Sequence, residues 1–445
     1  MPPPQAAAPK RRSRTVAAVV AVLAVAAGAV VTVVALGDAG SSGGAASPQA
    51  AVNNVVSAIN DSDVLGMLDA LAPAERRAIA DPLVKDFAEL KRTHVFSADA
   101  DLSHLDGASA TFRGLTYGSD ITINDHLRVV QITGGTLHVD SDLSRLPISS
   151  EFLKTLGVGG LSGTRSQTVD LAKAVRENHG KPIAVAAENV DGGWYPSLLY
   201  TIAYYAVDAA GLPQPSAADA IPAVGANSPE EAVRQLVYAL LGGDVTGAIK
   251  LASPDELAVL HDYGGVLLRQ IGGGYPAAPV QLDQLDLTTE SGPDGSQLVS
   301  LHGFAARVDN GGQVAMQLDG DCVQLTFGDH TQRMCSDQIT RQLDQLFDHL
   351  TGRPLTAGQR QALNDFSGVS SLGGGIVTTQ VSGQWFVNPI QTFLGGTTSL
   401  LERFQDNDLL ELIGLFKQLA VSQSVGAMGG VSGGVVCITP SGQRC

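Results

Sequence analysis

Aromatic side chains are scarce in this 445-residue chain: Phe, Trp and Tyr together make up 5% of it, and tryptophan occurs only twice. Charge is thin as well, at 16%, and weighted toward acid, with 44 Asp and Glu against 28 Lys and Arg. An acidic chain of this kind does not hold nucleic acid or an anionic lipid surface by bulk electrostatics. The sequence also lacks an HExxH helix, a phosphate-binding loop, a dinucleotide fingerprint and a kinase signature set. Two G-x-S-x-G matches, Gly40-Ser-Ser-Gly-Gly and Gly430-Val-Ser-Gly-Gly, lie in Gly/Ser-rich runs without the strand and helix that a nucleophile elbow needs. Asp99-Ala-Asp101-Leu-Ser103 opens like a calcium loop, but His104 stands where the turn glycine belongs and Ala110 where the bidentate glutamate belongs.

Cysteine is absent until Cys322, and the four present fit an oxidising compartment. Cys322 and Cys335 bracket VQLTFGDHTQRM, which reads as two short strands around a Gly-Asp turn, and Cys437 and Cys445 bracket ITPSGQR. Local disulfides 322 to 335 and 437 to 445 are expected, among the three pairings that four cysteines allow. A zinc site built on Cys322, Cys335 and His330 would lack both a CxxC pair and a second histidine at ligand spacing. No metal and no cofactor is expected.

What is present begins with a membrane segment. Lys10, Arg11, Arg12 and Arg14 precede residues 16–36, a run of 21 without charge or proline. At about 1.5 Å per residue it spans the roughly 30 Å hydrocarbon core, and it is longer than the apolar region of a secretory signal. The positive-inside rule leaves the basic tail, 1–15, in the cytoplasm and exports everything after the helix. The expected location is the plasma membrane, single-pass, with the lipid bilayer as a partner through 16–36. Beyond the tail, 24 basic groups face 44 acidic ones. Low lysine with abundant Ala, Gly and Val points to a high-GC bacterial source.

The exported part repeats itself. Residues 47–75 lie over 228–256 at a constant offset of 181, with 11 of 29 positions identical and no gap; chance would give about two, so this is an internal duplication. The register persists to Asp81 and Asp262, and each copy closes on one tryptophan, in Asp191-Gly-Gly-Trp194-Tyr and Ser382-Gly-Gln-Trp385-Phe, where the offset has grown to 191. The expected organisation is a Gly/Ser stalk over 37–46, a first domain over 47–212, a proline-containing linker over 213–227, a second domain over 228–420 with inserted helices, and a Gly/Ser-rich tail with the terminal cysteine pair over 421–445. In each copy the apolar period begins at helical spacing and switches to two. In the first copy, strands are expected at 111–117, 121–123, 127–133 and 136–139, the last two divided by Gly134-Gly135. A short helix near 150–156 and a Gly-rich loop follow, then a closing hairpin of 183–187 and 194–200. The second copy is expected to close its sheet with strands 376–380 and 384–389 and to end in an amphipathic helix over 406–419.

Helices followed by antiparallel strands make an α+β order. Both copies show a Ser-Pro-x-x-Ala-Val helix start (Pro48 and Pro229), an Asp-Val step (Asp63 and Asp244), a Pro-x-Glu helix start, and a last strand of the form Gly-x-Trp-aromatic (Trp194 and Trp385). This arrangement resembles the NTF2-like (cystatin-related, cone-shaped) domains over 47–205 and 228–395. Exported versions behind one transmembrane helix are common in actinobacterial membrane proteins. The resemblance implies a curved antiparallel sheet wrapped on helices, which can leave an apolar cone, and in enzymes of this fold an Asp, His or Tyr inside the cone does acid/base work.

The candidates for such work are His126 and His138 in the first copy and His302 and His330 in the second; the bland reading of all four, as exposed or core-satisfied side chains, outweighs it. Asp63, Asp244, Glu75 and Glu256 fall at helix starts, where carboxylates cap free N–H groups. Trp194 and Trp385 read as core anchors. Tyr195, Tyr200, Tyr204 and Tyr205 form an aromatic run, a buried final strand or, if exposed, a pocket or partner surface. The expectation is a non-catalytic, membrane-anchored extracytoplasmic protein that binds an envelope protein or an apolar ligand. The alternative is an envelope enzyme of isomerase or dehydratase type.

Overall fold

The computed structural model describes residues 43–104, 106–270, 272, 274–308, 312–367 and 375–429. The expected membrane segment 16–36 and the cysteines Cys437 and Cys445 lie outside the described residues. Among the described residues no helix is long and apolar enough to cross a membrane.

Helix α1 (Pro48–Asn60) starts at Ser47, whose hydroxyl accepts from the Ala50 amide at 3.2 Å, with Pro48 in the first turn. Helix α2 (Val64–Asp69) is capped by the Asp63 carboxylate, which accepts from the Gly66 amide at 2.9 Å. A turn at Pro73–Glu75 and a π-helical segment Arg76–Ala80 lead into α3 (Asp81–Arg92). Then come β1 (Ala108–Tyr117), β2 (Ile121–Thr122), β3 (Leu127–Asp142), α4 (Ser150–Leu156), β4 (Thr164–Asp170), α5 (Leu171–Glu177), β5 (Ile183–Val190), β6 (Gly193–Pro196) and α6 (Leu198–Ala209). The sheet runs β1-β3-β5-β6, with β2 and β4 also paired to β3, all antiparallel.

The second half opens in the same way. Ser228 caps α7 (Pro229–Leu241) and Asp244 caps α8 (Val245–Leu251), followed by α9 (Ala258–Gln270). Strands β7 (Val280–Ser291), β8 (Gln297–Val308), β9 (Gln313–Asp319), β10 (Cys322–Phe327) and β11 (His330–Cys335) precede the paired helices α10 (Ser336–Thr351) and α11 (Ala357–Ser367). Strands β12 (Ile376–Val381) and β13 (Gln384–Val387), then α12 (Pro389–Arg403) and α13 (Asp408–Gly429), complete it. The order is β11-β10-β9-β8-β12-β13, with β7 on β8. Register shifts in the β1–β3 and β7–β8 pairs are bulges that bend both sheets. Cys322 and Cys335 stand directly opposite each other on β10 and β11 and are joined as a disulfide.

Five expectations are corrected. Gly134-Gly135 does not divide two strands: β3 runs through it, and Gly135 at φ +119 takes up the register shift where β1 bulges between Arg113 and Thr116. The closing strand of the first half stops at Pro196. Ser197 accepts from the Tyr200 amide and starts α6 instead, so Tyr200, Tyr204 and Tyr205 lie on a helix. Likewise Val387 ends β13 and Pro389 opens α12, because proline fits the first turn of a helix better than a paired strand. The Gly-rich loop of the first half holds β4 and α5. The final helix also runs on to Gly429, past the expected tail boundary at 421.

Alternation along β3 puts Leu127 and Val129 on one face and Val130 and Ile132 on the other. The second face, with Leu137 and Leu171, is covered by Val52 of α1. The first face, with Ala184 and Ala186, is covered by Tyr200, Ala203 and Val207 of α6, and then by Val259, Tyr263 and Val266 of α9 from the other half. The reverse contact also exists: α12 packs on α3, where Asp86 accepts from the hydroxyls of Thr397 (3.0 Å) and Thr398, and Arg92 donates to the Leu401 carbonyl at 2.9 Å. Each half thus lays its post-sheet helix on the third helix of the other. Burial of each large apolar side chain stabilises by about 1.5–3 kcal/mol, against about 1 kcal/mol net for a hydrogen bond, so the apolar layer supplies the cohesion and the polar contacts fix the register.

Candidate functional site

The two halves use the same internal bonds at paired positions. The Ala45 and Trp194 backbones exchange two hydrogen bonds of 2.9 Å, and Ala226 and Trp385 do the same. The Ala186 amide donates to Thr201 Oγ1 and the Val377 amide to Thr392 Oγ1, both at 2.9 Å. Both tryptophans are half-buried: Arg128 stacks over the Trp194 ring at 5.8 Å, and Trp385 packs beside Val387. Asp191 and Ser382, at φ +51 and +50, each precede a glycine at φ +86 or +83 in the two-residue turns before those tryptophans.

Glu75 and Glu256 do something the local reading missed. Glu75, 3% exposed, accepts from the Ser197 hydroxyl and from the Leu198 and Leu199 amides, and so caps α6, more than 120 residues away. Glu256, 4% exposed, accepts from the Gln391 amide at 2.6 Å and is also bonded by the Ile390 amide at the start of α12, while its Oε2 has no partner among the described residues. Burial raises both carboxyls against these bonds, Glu256 to about 7.

The junction between α6 and α9 holds a polar cluster centred on Asp262. Asp262 of α9 receives His126 Nε2 at 2.9 Å, the Tyr200 hydroxyl at 2.6 Å and Asn124 Nδ2 at 3.2 Å, all from the first half. Burial opposes its charge, but these three donors outweigh burial and hold the Asp262 carboxyl below its ordinary range. The Asp262 bond raises His126. Glu188 on β5 lies on the same sheet face, opposite Leu127, and accepts no hydrogen bond from the described residues. Burial first, then the Glu75 charge, push it up to about 7. Burial and the Asp262 charge also raise Tyr200. Tyr200 and Tyr263 pack with ring centroids 6.1 Å apart.

Of the sequence candidates, the structure brings His126 and Tyr200 together on Asp262, a position the repeat marked as the counterpart of Asp81. His138 sits on β3, bonded to Thr168 Oγ1 and Asp140, each within 2.9 Å. His302 and His330 are exposed on β8 and β11. Tyr205 accepts from the Ala184 amide at 2.8 Å and meets Tyr204 edge-on, while Tyr195 lies half-buried on β6 beside Gly44. Asp101 bonds Ser103 in a local turn. Sequence reading missed Glu188 and Asn124; no spacing signal marks them, since their partners come from β3 and from α9.

A second feature is a cavity of about 350 Å³, open to solvent, where the ends of β1, β3 and β4 meet the loop before β1. Its walls are hydroxyls, carboxylates and guanidinium groups, with the His104 imidazole and the Gly107–Ala108 backbone. Among the described residues no group of three His, Cys, Asp or Glu side chains is placed to hold a metal ion.

No family model and no curated protein matches the sequence. A solved structure described as an "Ntf2 like protein involved in plasmid conjugation" is similar at 9% identity, over 52% of this chain and 79% of its own, with a TM-score of 0.13. At that score the likeness supports no argument about function, and the architecture stands as α+β with bent antiparallel sheets on the described residues alone.

Proposed function

We propose that this chain is a membrane-anchored extracytoplasmic binding protein of the bacterial cell envelope. In this reading residues 16–36 hold it in the plasma membrane, and its paired NTF2-like units engage a protein partner or an apolar ligand without catalysis. The observation behind the reading is a matched pair of outward apolar side chains. Ile202 on α6 and Phe393 on α12 occupy the same place in the two halves, each one residue past the matched threonine, and are 56% and 71% exposed. One exposed apolar residue is ordinary; the same position exposed on both reciprocal helices suits a two-point contact. The acid/base candidates fit as well, because the hydrogen bonds of His126, Tyr200 and Asp262 are made to one another across the junction. The test is a photocrosslinking residue at 202 or at 393 in the full-length protein in intact cells. The same adduct from both positions, absent from a probe at exposed Gln281 and lost in Ile202→Lys or Phe393→Lys, is the expected result. No adduct from either position of a folded protein overturns the reading.

One observation favours the alternative, an envelope enzyme with acid/base chemistry. His126 is half-exposed and oriented by Asp262 beside the Tyr200 hydroxyl, which is the geometry of a general base and its positioning carboxylate. Turnover of an isomerase- or dehydratase-type substrate that vanishes in His126→Ala and survives in His138→Ala would replace the first proposal with this one.

A further inference from the structure

The cavity at the ends of β1, β3 and β4 has a built-in comparison, because the other half holds the corresponding place. Ser62 lines the cavity from the turn between α1 and α2; its counterpart at the repeat offset, between α7 and α8, is Gly243. Both have positive φ, +54 and +71, but only Gly243 is free of the cost of that conformation. In the second half the turn is sealed. A Cβ on Gly243 would overlap the Tyr275 carbonyl, and the Tyr275 hydroxyl reaches back to the Leu240 carbonyl at 3.2 Å. In the first half, the loop before β1 leaves the space open, and a serine in a strained conformation faces it.

The lining states what would enter. Its three carboxylates are engaged: Asp106 with Arg145 at 2.6 Å, Asp140 with His138 at 2.9 Å, and Asp142 with the Ser144 amide and hydroxyl. Their remaining lone pairs still accept. The Arg165 guanidinium has no partner among the described residues; the strand register sets Ser141 beside it on the same sheet face, while Ser109, Asp140 and Ser166 alternate to the other face of the rim. Two arginines against three aspartates, in a chain of formal net charge −16, discourage an anion. Gly107 and Ala108 add apolar surface to the serines, aspartates and arginines, a mixed wall that suits a guest with both hydroxyls and C–H faces. Donors and acceptors interleaved at this density match groups that both give and take a hydrogen bond, which are hydroxyls.

We infer that this cavity is a binding site for a small neutral polyhydroxylated molecule, a free sugar or the end of a glycan chain. The only aromatic ring among its lining residues is the small His104 imidazole, so the affinity is modest and rests chiefly on hydrogen bonds. The site is separate from the α6 and α12 surface. A protein that crosslinks to a partner but binds no sugar would keep the first proposal and lose this one, and the reverse outcome would do the opposite.

The experiment uses the full-length protein in a sugar-free detergent, titrated calorimetrically with glucose, galactose, mannose and N-acetylglucosamine. The expected result is saturation by at least one of them below about 50 mM, weakened about tenfold or more in Arg165→Ala and in Ser166→Trp. Both positions are exposed on β4, so both variants keep the wild-type circular dichroism, and Gln281→Ala, in the other half, binds as wild type. Binding of the methyl glycoside and of a linear oligosaccharide as well as the free sugar identifies a chain end; binding of the free sugar alone identifies a monosaccharide. No saturation by any neutral sugar, saturation unchanged in both variants, or a preference for inorganic phosphate overturns the inference.

Discussion

Glu188 shows how a single carboxyl ties the junction to pH. Raised from an ordinary value near 4.5 to about 7 in the folded chain, it binds a proton between those values that the unfolded chain does not, so its contribution makes the protein more stable as pH falls through that window. Glu256, also at about 7, acts in the same direction. His126 is raised too, so its stabilisation is complete below the unfolded value of about 6.5 and is lost as pH rises through the folded one. All three groups predict greater resistance to urea at about pH 5.5 than at about pH 8. Glu188→Gln should stabilise by about 1–2 kcal/mol at the higher pH and by little at the lower, flattening the profile. An unchanged profile in the variant would show that Glu188 does not titrate in this range. Tyr200→Phe keeps the ring between Leu127 and Tyr263 but removes the strongest neutral donor to Asp262. The expected loss is about 1–2 kcal/mol, measured by urea titration at neutral pH.

At the scale of elements, the two long-range caps differ in completeness. Glu75 holds the start of α6 with both oxygens, while Glu256 leaves Oε2 unpartnered at α12. Glu75→Ala strands two amides and a buried hydroxyl and should cost about 3 kcal/mol; Glu256→Ala, which also removes a buried carboxyl, should cost about half as much, both read from chemical denaturation. Legibility in the sequence divides along the same line. Ser47, Asp63, Ser228 and Asp244 cap helices three residues downstream, so a local rule finds them. The partners of Glu75 and Glu256 are more than 120 residues away, and a repeat marks such positions as equivalent without saying what they touch. Helix α6 had a usable signal, since Ser197 precedes Tyr200, Ala203 and Val207 at helical spacing, but aromatic and β-forming residues mask it. The His126–Asp262 pair had none: His126 sits in a β-turn region that the second half does not reproduce, and only the docking of α9 brings the carboxylate to it.

At the scale of the whole molecule, the halves are joined by helix contacts of unequal character, with α13 also resting on α4, where Lys417 donates to the Thr155 carbonyl at 3.2 Å. One, α6 on α9, is an apolar layer with a buried polar cluster; another, α12 on α3, is pinned by Asp86 and its two threonines. Because each half covers a face of the other, the described region should unfold in one transition rather than two. Combining Tyr200→Phe with Asp86→Ala, one change at each of these two contacts, should split or broaden that transition by differential scanning calorimetry, while either change alone only lowers its midpoint. A single sharp transition in the double variant would mean that the apolar layer and the α13–α4 contact suffice to couple the halves.

The reciprocal helices also bear on descent. Had each copy closed on itself, a later deletion could have removed either one and left a working domain. As built, the post-sheet helix of each copy rests on the third helix of the other, so losing one strips the survivor of that cover. A single-copy ancestor with the same contacts would have found its cover in a second chain. The duplication reads as a fused homodimer, in which one side of the symmetry was free to keep an open cavity while the other sealed it.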